Sequence, residues 1–304
     1  MNLLKVMRNL VGDSVARVVV RVPALESAYI RLGRTISRTP CLATLYRRSR
    51  DTLVELWKIN HQNVRKLRIG AGTTIWFDIA EYGIKEAYFL GHTYEELTTK
   101  AFCDFLKPGD IFLDVGANAG YYTILAGRLV GKTGKVLAFE PNPSVRSQLA
   151  AHIQVNGLHD VATVIPLALS DEDAALVNFW IPNYPLQSGL GSLNRASVDK
   201  WEGQPVGGTI ASATRISVQT SRFDTWINAQ NLTHIDLMKV DVEGAEDKVF
   251  DGMRETLLSR PPRRIICETN PGGKADALLR EIGYHVRPLD AGGSNWSNYL
   301  YFLS

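Results

Sequence analysis

The stretch Asp110-Ile-Phe-Leu-Asp-Val-Gly-Ala-Asn-Ala-Gly-Tyr-Tyr-Thr123 constrains this chain more than any other. A short apolar run enters a Gly-x-Asn-x-Gly turn, with Asp114 two residues before the first glycine. The residues from Tyr121 to Leu129 then follow a helical pattern. A strand, a tight turn and a helix N-terminus in succession bring main chain close to a bound ligand. A second run, Lys135-Val-Leu-Ala-Phe-Glu140, ends in an acid suited to hold two ribose hydroxyls. The two runs together point to a nucleoside-cofactor site.

The spacing separates two kinds of nucleoside. A dinucleotide site needs Gly-x-Gly-x-x-Gly, so that a pyrophosphate rests on the helix N-terminus. Here Asn118 takes the place of the middle glycine, between Gly116 and Gly120. Asp114 would repel a pyrophosphate but suits a ligand carrying an ammonium and a sulfonium. S-adenosylmethionine is therefore favoured over NAD, and a nicotinamide-dependent oxidoreductase is the alternative. A non-catalytic nucleoside-binding module is a second alternative.

Around this motif the pattern is that of an α/β domain. Strands are expected at 110–115, 135–140, 161–167, 235–241 and 263–268, with helices at 120–130, 143–156, 244–258 and 274–282. Tyr94 to Leu106 has helical spacing and ends at Pro108-Gly109. Tyr284–Leu289 and Asn298–Leu303 read as a terminal antiparallel hairpin turning through Gly292-Gly293. Ahead of the domain, residues 1–60 look helical with breaks near Pro23 and Pro40, and Val64 to Ala80 alternates around Gly70-Ala71-Gly72 as a β-hairpin. We divide the chain into an extension of residues 1–90 and a catalytic domain of residues 91–304. Between Asp171 and His234 only Ala175–Ile181 and Ile216–Thr220 look strand-like. The Gly, Pro, Ser and Asn-rich stretch 182–210 is the candidate cover over a substrate.

Charge is unevenly spread. Residues 1–50 hold ten Lys and Arg against Asp13 and Glu26, although the whole chain carries only +3. A basic amphipathic start can meet an anionic membrane surface, or it can be a solvated helical face packed on its own domain. Cys41, Cys103 and Cys267 have no metal-site spacing and leave an odd thiol, so a reducing, cytoplasmic setting is expected, with membrane association as an option. No run is long and apolar enough to span a bilayer, and the first residues lack the pattern of a secretory signal.

Chemistry should gather at the carboxyl ends of the strands. Those ends offer Asp114 to Gly120, Glu140-Pro141-Asn142, Ala168-Leu169-Ser170-Asp171, Asp241-Val242-Glu243-Gly244 and Glu268-Thr269-Asn270. Methyl transfer to an alcohol needs in-line positioning and a base for the hydroxyl proton. Asp241 is the first choice for that neighbourhood, with His92 and His159 as alternatives. Asp241, Glu268 and Asn270 could also offer oxygens to Mg²⁺. For Asp241 a helix-cap role is the competing reading, and for Glu243 a favourable helix-dipole position.

The motifs resemble those of the FkbM family of S-adenosylmethionine-dependent methyltransferases. The match runs from Tyr94-Glu95 through Gly109-Asp110, Phe112 to Thr123 and Phe139-Glu-Pro-Asn142. It continues through Ala168-Leu-Ser-Asp171, Phe223-Asp-Thr-Trp226, Met238-Lys-Val-Asp-Val-Glu-Gly-Ala-Glu246 and Ile266-Cys-Glu268. The resemblance covers residues 90–304 and implies a class I methyltransferase fold, a Rossmann-like seven-stranded, mostly parallel sheet with a terminal antiparallel hairpin. It also implies O-methylation of a hydroxyl on a sugar, glycolipid or polyketide-like metabolite. On the matching positions it suggests cofactor contacts from Glu95, Asp114, Gly116, Asn118, Gly120, Tyr122, Glu140, Asn142, Ala168, Leu169 and Asp241. Catalysis is assigned to Asp241, Glu243 and Glu268.

Nucleic-acid acceptors are disfavoured. After the fourth strand this chain has Asp241-Val-Glu-Gly244, not the Asn/Asp-Pro-Pro-aromatic run of amino-methyltransferases acting on bases. Cys267, the residue a cytosine C5 enzyme would need in a loop, lies inside an expected strand, where a thiol is inert.

Overall fold

The computed structural model describes residues 13–69, 73–81, 83–173, 176–182, 191–199, 205–206, 209–210, 213–230, 232–289 and 297–303. It divides into two compact units, Met1–Glu96 and Leu97–Ser304.

In the first unit, residues 13–21 are helical, a 3₁₀ turn spans Pro23–Leu25, and helices follow at Glu26–Ile36 and Pro40–Ile59. Pro23 and Pro40 therefore start elements. Proline has its φ preset for a helix and lacks the N–H that a first turn leaves unpaired. Strands β1 (Val64–Arg68) and β2 (Thr74–Asp78) pair antiparallel as expected, and their Gly70-Ala71-Gly72 turn lies outside the described residues. A helix at Ile84–Leu90, absent from the sequence expectations, carries Phe89 into the middle of this unit. The Phe89 ring stacks on Trp57 at 6.1 Å and meets Tyr46 edge-on at 6.4 Å. Gly33 is needed for this packing, because a Cβ there would stand 1.9 Å from the Tyr46 ring. Part of the basic charge is engaged within the unit. Buried Arg50 forms a forked ion pair with Glu86, Arg34 donates to the carbonyls of Tyr88 and Phe89, and Arg48 faces Asp13.

The second unit is built on parallel strands β3 (Ile111–Val115), β4 (Lys135–Phe139) and β5 (Ala162–Ile165). The next five strands lie outside the main sheet. β6 (Ala168–Leu169) and β7 (Leu176–Pro182) come first. The two-residue strands β8 (Pro205–Val206) and β9 (Thr209–Ile210) pair with each other, and β10 (Ala213–Ser221) follows. The chain then returns through β11 (Leu237–Val240), β12 (Arg264–Thr269), β13 (His285–Pro288) and β14 (Ser297–Phe302). The main sheet has seven strands in the order β13-β14-β12-β11-β3-β4-β5, with β14 antiparallel to its neighbours. The strand order reverses between β3 and β11, so their carboxyl ends open a crevice. Helices at Tyr121–Val130, Pro143–Val155 and Lys274–Ile282 cover the sheet, and a continuous apolar core runs from Leu113 and Phe139 to Tyr301. Strands sealed on both faces read as apolar runs, which is why β3, β4 and β11 were legible.

Three expectations need correction. The expected strand 161–167 ends at Ile165, and its continuation, β6, leaves the main sheet to pair with β10. The expected helix 244–258 is two helices, Glu246–Asp251 and Arg254–Ser259, broken at Gly252-Met253. A Cβ on Gly252 would lie 1.9 Å from the Ser170 carbonyl oxygen, so the break lets two backbones pass closely. The section 171–234 is not mainly loop. Among its described residues are β7 and β10, which join β6 in a three-stranded sheet and pair with each other from Ala213↔Pro182 to Gln219↔Leu176. Pairing across more than thirty residues leaves no local signal. Much of 182–210 and the Gly292-Gly293 turn lie outside the described residues.

Candidate functional site

The Gly-x-Asn-x-Gly turn follows β3 and starts the helix at Tyr121. Gly116, Asn118 and Gly120 all have positive φ, at 82°, 49° and 95°. A Cβ on Gly116 would sit 1.9 Å from the Asp241 carbonyl oxygen, so only glycine lets the turn pass the end of β11. From behind, His152 Nδ1 lies 2.7 Å from the Ala119 carbonyl, a buried contact that sequence reasoning missed. Asp114 is buried under the turn and accepts the Thr123 hydroxyl at 2.6 Å. Burial pushes its carboxyl up to about 6 against the pull of Lys239 and Thr123.

Glu140 ends β4 and is also buried. Its two carboxylate oxygens accept the backbone N–H groups of Asn118 at 3.0 Å and Asn142 at 2.8 Å. Burial raises it to about 7, although both N–H donors favour the charged form. The carboxylate is thus fixed in orientation, with lone pairs left for a diol. Asn142 caps the next helix through the Ser144 N–H.

These residues open on a cleft enclosing about 550 Å³ of space, part of it open to solvent. Gly116, Asn118, Glu140, Asn142, Ala168, Leu169 and Asp241 line it. Of the other expected cofactor residues, Asp114, Gly120 and Tyr122 support the turn without lining the cavity, and Glu95 belongs to the N-terminal unit. Tyr122 packs at 4.5 Å on Phe102 and presents its ring to Lys239. The fixed acid, the close main-chain turn and the apolar wall together fit S-adenosylmethionine.

At the cavity's edge, around Asp241, lies a cluster of buried charge. Lys239, almost fully buried in β11, holds its Nζ 2.6 Å from Asp241 Oδ2. Burial alone would raise the Asp241 carboxyl, but Lys239 holds it below the usual carboxylate range. A Glu268 carboxylate oxygen lies within 4.8 Å of one on Asp241, and that negative neighbour together with burial pushes Glu268 up to about 9. At neutral pH the pair therefore keeps one proton on Glu268 and a charge on Asp241, neutralised by Lys239. Lys239 was missed in the sequence, although a lysine inside the apolar run Leu-Met-Lys-Val was itself a signal, because a buried cation needs a partner.

Glu243 stands at φ 55°, and its carboxylate comes within 4.8 Å of those of Asp241 and Glu268. Such a trio has the spacing of a cation site, but the Lys239 ammonium already balances Asp241. Asn270 is exposed beyond β12. Glu246, another residue missed earlier, shapes this loop by accepting the N–H groups of Val242 and Gly244. His159 is on the surface beside Asp160 at the start of β5, away from the strand ends that form the cavity. Cys267 is fully buried and its thiol is pushed up by burial, as an inert strand residue should be. The Asp of Phe223-Asp-Thr-Trp226 is a clamp. Asp224 accepts the N–H groups of Glu255 and Thr256 and the Thr256 hydroxyl.

A seven-stranded sheet with one reversed strand and a cofactor cavity at its switch point defines a class I methyltransferase. The chain belongs to the FkbM methyltransferase family, whose Methyltransferase FkbM domain matches residues 114–286. It is 28% identical over 220 residues to Methyltransferase sdnD of Sordaria araneosa, covering 66% of this chain and 83% of that protein. It is 29% identical to the 31-O-demethyl-FK506 methyltransferase FkbM of Streptomyces tacrolimicus, covering 73% and 90%. Similarity to the 2-O-methyltransferase NoeI of Sinorhizobium fredii is 28%, covering 50% and 60%. S-adenosylmethionine is accordingly the cofactor, and the nicotinamide alternative is set aside. Among the described residues no helix is long and apolar enough to cross a membrane.

Proposed function

We propose that this protein transfers a methyl group from S-adenosylmethionine to a hydroxyl oxygen of a sugar, glycolipid or polyketide-like metabolite. The observation that carries the reading is the close carboxylate pair of Asp241 and Glu268, with Asp241 lining the cavity that Glu140 and Gly116 shape. The printed names of two relatives, a 31-O-demethyl-FK506 methyltransferase and a 2-O-methyltransferase, agree with a hydroxyl acceptor.

In this reading Glu140 holds the ribose hydroxyls, and the turn Gly116 to Gly120 supports the remainder of the cofactor. The acceptor oxygen attacks the methyl carbon, its C–O bond forming as the C–S bond breaks. The hydroxyl proton passes to the carboxylate pair, leaving S-adenosylhomocysteine and a methyl ether. Asp241 is held by Lys239 and is a weak base by itself. Glu268 sets the base strength, and its proton must be shed before the pair can accept another. Turnover should then climb with pH toward about 9, the value to which Glu268 is raised.

Labelled S-adenosylmethionine offered with hydroxylated macrolides, oligosaccharides, glycolipids, amines and total RNA tests the acceptor class. Transfer to a hydroxyl acceptor, undiminished by chelator, is expected. Transfer only to amines or RNA would reject the reading, and no transfer at all would favour a binding module. Asp241→Asn and Glu268→Gln should each cut turnover far more than cofactor affinity. If both parameters fall together, the pair holds the cofactor instead.

A further inference from the structure

We propose that Gly191–Asp199 is a strap that completes the base-binding wall of the cofactor cavity, with Asn194 clasping it to the loop after β11. The inference rests on the cofactor assignment above and concerns residues that the family motifs leave out. It also gives the small sheet β6-β10-β7 a purpose.

A continuous path of hydrogen bonds links elements that line the cavity. Ala168 and Leu169 of β6 line the cavity and pair with Thr220 and Ser221 of β10. β10 pairs in turn with β7, placing Ile216 opposite Phe179. Trp180 and Ser192 then exchange backbone hydrogen bonds in both directions, each 2.9 Å. On the far side the strap returns to the loop that follows β11. The Ser192 hydroxyl donates to the Val242 carbonyl at 3.3 Å, and Asn194 Nδ2 donates to the Gly244 carbonyl at 2.9 Å. The strap thus bridges the end of the third parallel strand and the end of the fourth.

The fit at both anchors is close. Gly244 has φ +91°, and a Cβ there would stand 2.1 Å from the Ser197 hydroxyl oxygen. A Cβ on Gly191 would stand 2.5 Å from the Phe179 ring. Asn194 is itself locked, its Oδ1 accepting the Ala196 N–H at 3.1 Å. Gly191, Leu193 and Phe179 all line the cavity, where Phe179 packs with Ala168 and Leu193 against the same cluster. Together with Pro141 and Leu167 they make an apolar wall beyond Glu140. A cofactor whose ribose is held by Glu140 has only its flat, uncharged purine to place there, and such a ring suits aromatic and aliphatic contact.

Two consequences follow from the chemistry. Leu193 contributes directly to binding the base. Asn194 is a positioning residue that couples the wall to the Asp241–Glu246 loop, so it governs how fast the product nucleoside leaves.

Calorimetry and stopped-flow displacement on the full chain, with S-adenosylhomocysteine and adenosine as probes, test this. Leu193→Ala should weaken both probes by about the same factor, roughly tenfold, because the lost contact is to the base. Asn194→Ala should speed S-adenosylhomocysteine dissociation by roughly threefold to tenfold. Wild-type affinity in both variants would overturn the strap, as would a Leu193→Ala loss confined to S-adenosylhomocysteine. If Asn194→Ala does not fold, the two-probe comparison on Leu193→Ala decides. Failure of the wild-type protein to bind S-adenosylhomocysteine would strike the cofactor assignment instead.

Discussion

Lys239 and Asp241 lie two residues apart at the end of one strand, so their side chains fall on the same side of the sheet, with Nζ 2.6 Å from Oδ2. The lysine is 3% exposed and Asp241 is 25% exposed, which makes the ion pair a charge carried into the interior rather than a surface contact. It also places a cation where an acid-rich active site would otherwise repel itself.

Lys239→Met should destabilise the protein by about 3 kcal/mol at pH 7, because a buried carboxylate is left without its partner. Asp241 is held below its ordinary range, so its stabilising contribution is present at neutral pH and disappears as pH falls through the folded value. The stability gap between wild type and variant should therefore shrink on acidification. Urea denaturation at pH 7 and at a pH below 3.8, the ordinary aspartate value, measures it, and an equal gap at both would reject the pairing.

Glu140, raised to about 7 by burial, must be ionised to accept two ribose hydroxyls. Cofactor affinity should rise with pH across 6 to 8, with one proton released on binding below pH 7. Calorimetry in buffers of different ionisation enthalpy reads that proton. Glu140→Ala should remove the pH dependence and weaken binding by about 1–3 kcal/mol.

Glu268 gives the opposite stability trend to Asp241. Its folded value, about 9, lies above the ordinary carboxyl value, so the folded state holds this proton more tightly than the unfolded one. Its contribution is complete below the ordinary value and declines as pH rises toward 9. The ligand-free protein should lose melting temperature between pH 6 and pH 9, and Glu268→Gln should flatten that slope. An unchanged slope in the variant would mean that other groups set it.

Among the described residues, 13–32 offer one surface for the membrane expectation, while Arg48 and Arg50 face acids within the N-terminal unit. Val18 is 51% exposed and Leu32 59%, alongside Arg17, Arg21 and Arg31. Contact through this segment predicts flotation with vesicles containing anionic lipid and none with neutral vesicles. Failure to float with either removes the idea.

What the sequence determined by itself is local or periodic. The turn from Gly116 to Gly120 was legible because positive φ and close backbone approach demand particular residues at particular spacings. Glu140 was legible because it ends an apolar strand, and β3, β4 and β11 because strands sealed on both faces must be apolar. Only the tertiary structure decided the rest. It set Glu268 against Asp241 across two strands, and so placed a proton where sequence reasoning had put a simple base. It likewise joined β7 to β10 and hung Asn194 on Gly244, fifty residues away. Such contacts depend on which strands become neighbours and on how low the local dielectric is, and no run of adjacent residues encodes either.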